Sequence, residues 1–441
     1  MKVSPKRPAR FAILADDLTG ALDCTAAFIA PGLAPYVAVA GNPSDVPVGS
    51  RVVSVNADTR RLPVDEAERV VRAVLASLSV AGCEPRYVKI DSTLRGHPGL
   101  EISLLAETSG SPLTLVCPAF PATGRTVRDG KLLVHGIPLH ETEVGKDPLS
   151  PLDTSQVAGI LRRHAGLPVT EMSLDHVRSD SLGADLVELA RSHPGSHRLV
   201  VCDAETDADL DRVVEAGLAA GGAAPGGLKL LFAGSAGLAF ALARASQDSS
   251  IYNVKTGSGD ACAPLLVVTA SQRTLADRQI AVLESAALVK RHNIEFSVSP
   301  GGDASTVQPD IVAIRSALEN RDNVVLRATI RDDISSLSAE AVRRAADGVT
   351  ARLGELVEVL TKKRTIGGIV IIGGDTAHGV LTAIGARGIL LHAEPLPGVP
   401  LGTITGGVLN GTVIATKAGA FGDDQTLFKL VNYLLPGGAQ P

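Results

Sequence analysis

Short runs of β-branched and apolar residues alternate along this chain with longer Ala/Leu/Val segments of helical period. That alternation restricts it to βαβ units around a mainly parallel sheet. Candidate strands are FAILA (11–15), VVSVNA (52–57), YVKI (87–90), LTLVCP (113–118), RLVVCD (198–203) and KLLFAG (229–234). Between them, 65–78 places Ala67, Val70, Val71, Val74, Leu75 and Leu78 on one stripe, with Glu66, Glu68, Arg69 and Arg72 mostly elsewhere, as in a helix covering a sheet. The pattern stops over 246–263 (SQDSSIYNVKTGSGDACA), which is polar, rich in Ser, Gly and Asp, and reads as a linker. It restarts with PLLVVTAS (264–271), NVVLRA (323–328) and GGIVIIGG (367–374) and closes with a helix over 425–435. At 441 residues the chain exceeds the size at which one core usually keeps growing. The expected fold is therefore α/β with two domains, 1–247 and 263–441, joined by a linker over 248–262, each a mainly parallel or mixed sheet flanked by helices.

Composition narrows the function classes. Hydrophobic residues at 45% and charged residues at 20% match a globular enzyme rather than a disordered chain. Tryptophan is absent, aromatics reach only 3% and the net charge is -5, so neither stacking platforms nor clustered positive charge point to a nucleic-acid partner. That balance excludes no anionic small molecule, because a few Lys and Arg residues reverse the field inside a cleft. The five cysteines, Cys24, Cys83, Cys117, Cys202 and Cys262, form no CxxC pair, which fits a reducing compartment. The apolar stretch near the start is five residues long before two aspartates end it, too short for a signal peptide. The stretch 228–245 is interrupted by Gly234, Ser235 and Gly237 and does not read as membrane-spanning, so the expectation is a cytoplasmic protein without a membrane partner.

In open α/β sheets ligands gather outside the carboxyl ends of the strands, so the loops after apolar runs carry the chemistry. After FAILA come Asp16 and Asp17. Such a pair offers one general base for a substrate hydroxyl and one partner for a metal or second hydroxyl, although either aspartate can instead cap the helix starting near Thr19. After YVKI, the residues Lys89, Asp91, Ser92, Thr93, Arg95 and His97 crowd both signs of charge together. Lys89 lies within an apolar strand pattern and so should face a polar cleft, and Arg95 has the fork that clamps a carboxylate. A surface loop laced by salt bridges is the alternative. CPAFPATGRTVRDG (117–130) resembles a rigid anion-binding turn in which Arg125 is the informative residue. The spacing of His135 and His140 matches no zinc signature, and both read as structural.

The second half carries IVIIGGDTAHG (369–379), PLPGVPLGTITGG (395–407) and ATKAGAFG (415–422). Glycines at strand ends let a backbone approach a ligand closely, and helix-start amides favour phosphate oxygens. Three such loops with few acids or bases suggest a nucleotide held largely by backbone. GxxxxGK[ST] and GxGxxG are both absent, so neither a P-loop nor a dinucleotide fingerprint applies, and an oxidoreductase of the dinucleotide-binding type is disfavoured.

The motifs ADDLTGALD, KIDSTLRG, CPAFPATGRTVRDG, GSAGLA, GGDT, PLPGVP and KAGAFG occur in an order that resembles the four-carbon acid sugar kinase family, from about Phe11 to about Leu434. The resemblance implies a sugar-acid-binding N-terminal domain, an ATP-binding C-terminal domain and a reaction between them, with ATP and Mg2+ as cofactors. It implies that Asp16, Asp17, Lys89, Asp91, Ser92 and Arg95 line the acceptor pocket, joined by Arg125, with Asp17 or else Asp16 as base. On the nucleotide side it implies Ser271, Gly373, Gly374, Asp375, Thr376, Pro397, Gly398, Val399, Pro400, Lys417, Gly419 and Gly422. Metal ligands stay unassigned, and a homodimer stays open. Two departures stand out: Thr269–Ala276 reads TASQRTLA where relatives usually carry a run like SGSCSxxT, and AGAFG replaces SGNFG. The first is the feature that would favour a catalytically silent sugar-acid sensor. Another small hydroxy acid as substrate is the alternative within enzymes.

Overall fold

The computed structural model describes residues 10–30, 32–39, 41–146, 150–223, 229–246, 264–307, 309–362, 366–419 and 421–435. The proposed linker, 248–262, lies outside them, as does Cys262. Contacts divide the chain into two compact units: 1–33 with 41–252, and 34–40 with 253–441.

In the first unit the strands are β1 (Arg10–Ala15), β3 (Val52–Asn56), β4 (Cys83–Lys89), β5 (Leu113–Cys117), β9 (Val169–Met172), β10 (Arg198–Cys202) and β11 (Leu231–Gly234). They form a sheet in the order β3-β1-β4-β11-β5-β10-β9, every pair parallel. The strands are nearly continuous apolar runs because both faces are covered by helices. These are α1 (Leu18–Ala26), α2 (Val64–Val80), α3 (Pro98–Ser109), α4 (Val157–Arg162), α5 (Leu174–Val177), α6 (Leu182–Ser192), α7 (Asp207–Ala223) and α8 (Ala236–Ser246). Local chemistry sets their ends. Proline opens α3 where no amide partner is lost, and Gly110, at φ 65°, closes it in the left-handed conformation. Thr206 and Asp209 exchange side chain and backbone hydrogen bonds at the start of α7 as a capping box.

The expected strand at 87–90 begins earlier, at Cys83, because Arg10 to Ala12 pair with Cys83 to Pro85 before the register shifts beyond Ala12. Proline and charged residues mask that part of the strand, and the bulge accommodates them. Of the segment read as a rigid turn, Pro121–Thr123 does turn, closed by Gly124 at φ 75°, while its second half opens a three-stranded antiparallel sheet, β6 (Arg125–Arg128), β7 (Lys131–Val134) and β8 (Ile137–Pro138). Asp203 holds the β6–β7 turn by accepting from the amides of Asp129 and Gly130 at 2.7 and 3.0 Å.

The second unit has β2 (Tyr36–Ala38), β12 (Leu265–Thr269), β13 (Lys290–Val298), β14 (Ala304–Thr306), β15 (Val324–Ile330), β16 (Gly368–Ile372), β17 (Gly388–Leu396), β18 (Val399–Thr405) and β19 (Val413–Lys417). Its order is β14-β13-β15-β12-β16-β19-β18-β17-β2, parallel from β13 to β19 and antiparallel at both margins. Helices α9 (Thr274–Ser285), α10 (Ile311–Glu319), α11 (Ala339–Thr361), α12 (Gly374–Ala383) and α13 (Thr426–Leu434) complete it. The stretch PLPGVPLGTITGG, read as a glycine-rich loop, is mostly a hairpin: Pro397-Gly398 turns between β17 and β18, and Val399 and Pro400 are buried strand residues.

The strand β2 departs from the linear order of the chain. Its three residues come from the first forty yet pair antiparallel with Gly388 to Leu390 of β17. The Tyr36 hydroxyl lies 3.0 Å from Thr405 Oγ1, which bonds the Gly388 carbonyl. A Cβ at Gly388 would collide with the Tyr36 ring, so only glycine admits this strand.

Candidate acceptor and nucleotide sites

Strands β3 and β4 flank β1 on opposite sides, so the chain reverses direction across the sheet at β1. Such a switch point opens a crevice at the carboxyl ends, where the loops after β1, β3 and β4 meet. The loop after β1 supplies Asp16 and Asp17; the loop after β4 supplies Asp91 to Arg95. The loop after β3 supplies Arg60, which sequence reasoning missed.

Arg60 organises the cluster. Its Nε and Nη2 donate to the two Asp16 oxygens at 2.7 and 2.9 Å, and its Nη1 and Nη2 donate to those of Asp17 at 2.7 Å each. Nη2 also lies 3.9 Å from Asp91 Oδ1. Burial opposes this charge, but Asp16, Asp17 and Asp91 hold the guanidinium well above its ordinary pKa. The amides of Thr59 and Arg60 donate to the Asp16 carbonyl, so backbone and side chain grip the same residue. Asp91 is paired in turn with Arg95, at 2.6 Å to Nε and 3.2 Å to Nη2, and accepts a short hydrogen bond from Thr93. Burial pushes the Asp91 carboxyl up, yet Arg95 and Arg60 hold it well below the usual range.

The two aspartates are not equivalent. Asp17 caps α1, accepting from the Gly20 amide at 2.8 Å, so the helix-cap reading of one aspartate holds alongside its ion pair. Its side chain is 20% exposed, against 2% for Asp16. Burial, and secondarily Asp17, raise the Asp16 carboxyl despite Arg60 and Lys89. Lys89, expected to face a polar cleft, is buried at 5% exposure, donates to the Ile90 carbonyl at 2.8 Å and acts on Asp16. A Cβ on Gly20 would meet Asp17 Oδ1 at 2.5 Å and Lys89 Nζ at 2.9 Å, so glycine makes room for both groups.

Arg125 starts β6 and bonds the Thr123 carbonyl through Nη1, while its buried Nε has no hydrogen-bond partner. Burial lowers its pKa, Asp91 opposes that and Arg95 adds to it, so it belongs to the same electrostatic group. Ser92 lies half-buried in the β4 loop. GSAGLA is structural: Ser235 donates to the Ala119 carbonyl at 2.7 Å, and its own carbonyl accepts from Tyr87 at 2.6 Å. His140 Nδ1 pairs with Ser155 at 2.8 Å.

In the second unit, β15 and β16 flank β12, and the loops after β12, β16 and β19 converge. Gly373, at φ 104°, precedes α12, whose first turn holds Gly374, Asp375 and Thr376 and whose opening amides lack intrahelical acceptors. The Gly373 amide donates to the Lys417 carbonyl at 2.8 Å, and Thr376 Oγ1 accepts from Ala270 at 3.1 Å. A Cβ on Gly419 would clash with Ser271 Oγ, and one on Gly398 with the Phe421 ring, so Ser271, the Pro397-Gly398 turn and the loop after β19 touch. Gly422, at φ 83°, packs against Thr426. Val399 lies in the unit's core.

Lys417 is 2% exposed and spans the Ala418 and Phe421 carbonyls at 2.8 Å each, so it shapes its own loop; burial lowers its pKa to about 8. Gln272 turns back to the Ala270 carbonyl at 3.1 Å, and Arg273 precedes α9. Within the segment that departs from the usual family run, Gln272 and Arg273 next to Ser271 are exposed, whereas Thr269 and Ala276 are buried.

Among the described residues no group of three or more His, Cys, Asp or Glu is arranged to hold a metal ion, and no helix is long and apolar enough to cross a membrane. Cys24, Cys83, Cys117 and Cys202 are free, buried thiols.

Residues 11–242 match a family model described as a sugar-binding N-terminal domain, and residues 266–427 one described as a nucleotide-binding C-terminal domain. The chain is 34% identical over 423 residues to a D-threonate kinase of Bordetella bronchiseptica, covering 95% of each chain. It is 29% identical to a D-erythronate kinase of Heliobacterium modesticaldum, covering 96% of each, and 28% identical to a 3-oxo-tetronate kinase of Pseudomonas fluorescens, covering 100% of each. A solved structure from Salmonella typhimurium LT2, 21% identical, shares the fold with a TM-score of 0.74 over 95% of this chain and 98% of that one. With both domain models matched in order and curated relatives aligned end to end, the chain belongs to the four-carbon acid sugar kinase family.

Proposed function

We propose that this protein is an ATP-dependent kinase that phosphorylates a hydroxyl of a four-carbon sugar acid of the threonate, erythronate or 3-oxo-tetronate type. The observation that carries the reading is the acceptor cluster: carboxylates able to accept a hydroxyl proton stand beside Arg95 and Arg125, cations able to hold a carboxylate. Asp17 is the favoured base. It is the more exposed of the pair, and an ionised carboxylate has about four lone-pair sites, of which Gly20 and Arg60 occupy three. Asp16, enclosed by Arg60, serves best as the group that fixes Arg60 in place. The Arg125 Nε, buried without a partner, is the donor best suited to an incoming carboxylate.

On the nucleotide side the α12 amides, the Ser271 hydroxyl and the loop shaped by Lys417 suit phosphate oxygens. Asp16, Asp17 and Asp91 are committed to arginines, which fits a magnesium ion that comes with the nucleotide's phosphates rather than one held in a carboxylate cage. The ion would neutralise charge on the transferring group. Four buried thiols suit a cytoplasmic enzyme. A silent sensor is favoured only by Gln272 and Arg273, whose side chains are exposed.

The deciding experiment is an ADP-release screen with ATP and magnesium over D- and L-threonate, D- and L-erythronate and 3-oxo-tetronates. Turnover on at least one is expected, and no turnover on any, with no ATP binding by calorimetry, would establish the sensor. Near-normal turnover in both Asp17→Asn and Asp16→Asn would remove the assignment of the base.

A further inference from the structure

Behind the acceptor cluster lies a carboxyl group with no role in the mechanism above. Glu101, in the first turn of α3, is 1% exposed and accepts from Thr59 Oγ1 at 2.5 Å. Thr59 is the residue whose amide, with that of Arg60, grips the Asp16 carbonyl. Glu101 is therefore one hydrogen bond removed from the loop that aims Arg60, and near enough to Asp16 for the two carboxyls to act on each other.

The groups that face it are few. Asp16 comes from the end of β1, Arg60 from the loop after β3 and Lys89 from β4. The helices on either side keep their charges elsewhere: Arg72 of α2 pairs with Glu68 and Glu107 at the surface, and His164, just after α4, stacks edge-on against His97. Nearby β5 presents apolar residues, Thr114 and the buried thiol of Cys117. The cations Arg60, Lys89, Arg95 and Arg125 thus stand against Asp16, Asp17 and Asp91, with Glu101 deciding the balance.

We infer that Glu101 is a positioning residue that works as a neutral acid: it braces Thr59 and leaves the acceptor site with positive charge in excess, which an anionic hydroxy acid neutralises. This rests on the sugar-acid reading above. Burial, reinforced by Asp16 and opposed by Thr59, Arg60 and Lys89, raises the Glu101 carboxyl to about 8, so it keeps its proton at neutral pH and loses it just above. Ionisation would place a further carboxylate behind Asp16 and reduce the excess.

The test compares wild type with Glu101→Gln, which fixes the neutral form. KM for the best sugar acid and kcat are measured from pH 7 to pH 9 at saturating ATP, because Lys417 titrates in the same range. The wild-type KM should rise roughly tenfold across that range with little change in kcat, the response to a single ionisation midway. The KM of Glu101→Gln should stay flat. In parallel, pH-difference infrared spectra of wild type labelled with 13C-glutamate should show a neutral carboxyl band that disappears over the same range, a readout that needs neither the variant nor turnover. A missing band, or the same KM profile in both enzymes, overturns the inference. Absence of turnover and binding with every acid, even with the band in place, overturns the sugar-acid reading and the charge argument with it.

Discussion

Replacing Arg60 by alanine should damage the first unit more than any other single change in the candidate acceptor cluster. The substitution removes four charge-assisted hydrogen bonds, to Asp16 and Asp17, and leaves Asp16 buried at 2% exposure without its guanidinium. Breaking a buried pair by deleting one partner costs about 3–5 kcal/mol, chiefly from the stranded charge. For a unit of this size each kcal/mol moves the midpoint by about 2–4 °C, so its thermal transition should fall by roughly 6–20 °C. The sign with pH follows from Asp16. Its carboxyl is already raised in the folded state, and loss of Arg60 raises it further. A folded-state pKa above the unfolded one means stability falls as pH climbs from the unfolded value towards the folded one, so the deficit should be smallest near pH 4 and grow towards neutrality. Far-ultraviolet circular dichroism is the appropriate probe, since the chain has no tryptophan. Arg60→Lys should recover part of the stability but not the activity, because an ammonium cannot reproduce the fork that joins two carboxylates. A deficit under about 1 kcal/mol, the scale of a surface pair, or one independent of pH would refute this account of Arg60.

Three further outcomes are expected. Gly388→Ala should force β2 off β17, because the added methyl meets the Tyr36 ring and the Val37 carbonyl; Tyr36→Phe, which removes the hydroxyl and keeps the ring, should cost about 1 kcal/mol, and equal midpoints for the two would contradict the packing. Gly419→Ala should raise KM for ATP while leaving sugar-acid affinity unchanged, since its methyl meets Ser271 Oγ; isothermal titration with each ligand separates the effects. Asp209→Ala removes the α7 capping box and the Arg178 pair and should cost about 1–2 kcal/mol in urea unfolding. Burial works against the Asp209 carboxylate, but Arg178 and the cap amides hold it at about 2, so its stabilisation is complete above pH 4 and the deficit should fade as pH falls towards 2.

The parts of the site that sequence reveals follow one physical rule, that charge placed directly after a buried strand has been put there at a cost. That rule finds Asp16, Asp17, Asp91 and Arg95, and it extends to Arg60, four residues past the end of β3. In NADTRR, however, Arg60 stands beside a second arginine in what looks like a solvated turn, and nothing local shows which of the two turns inward. Glu101 is hidden for the opposite reason. An acid in the first turn of a helix suits the helix dipole, so its burial under Thr59 shows only when the β3 loop is in place. The β17–β18 hairpin is legible in the sequence, since Pro-Gly between two apolar runs is a turn signal, although the glycines around it equally suit a ligand-binding loop. The strand β2 is not legible, since three residues cannot display a period and their partner lies some 350 positions onward.

Strand β2 also bears on how this protein can be taken apart. A fragment beginning at residue 253 carries every nucleotide-side loop but omits the segment that covers β17, so it would be made with that strand's amides and carbonyls bare. Uncovered edges of this kind recruit other chains, and such a fragment should precipitate or pair with itself however well its core is packed. Grafting 34–40 onto it in trans, as a short synthetic peptide, is then the natural rescue. Any gene fusion, circular permutation or split version of this enzyme has to keep those seven residues with the half they complete, rather than with the half that encodes them.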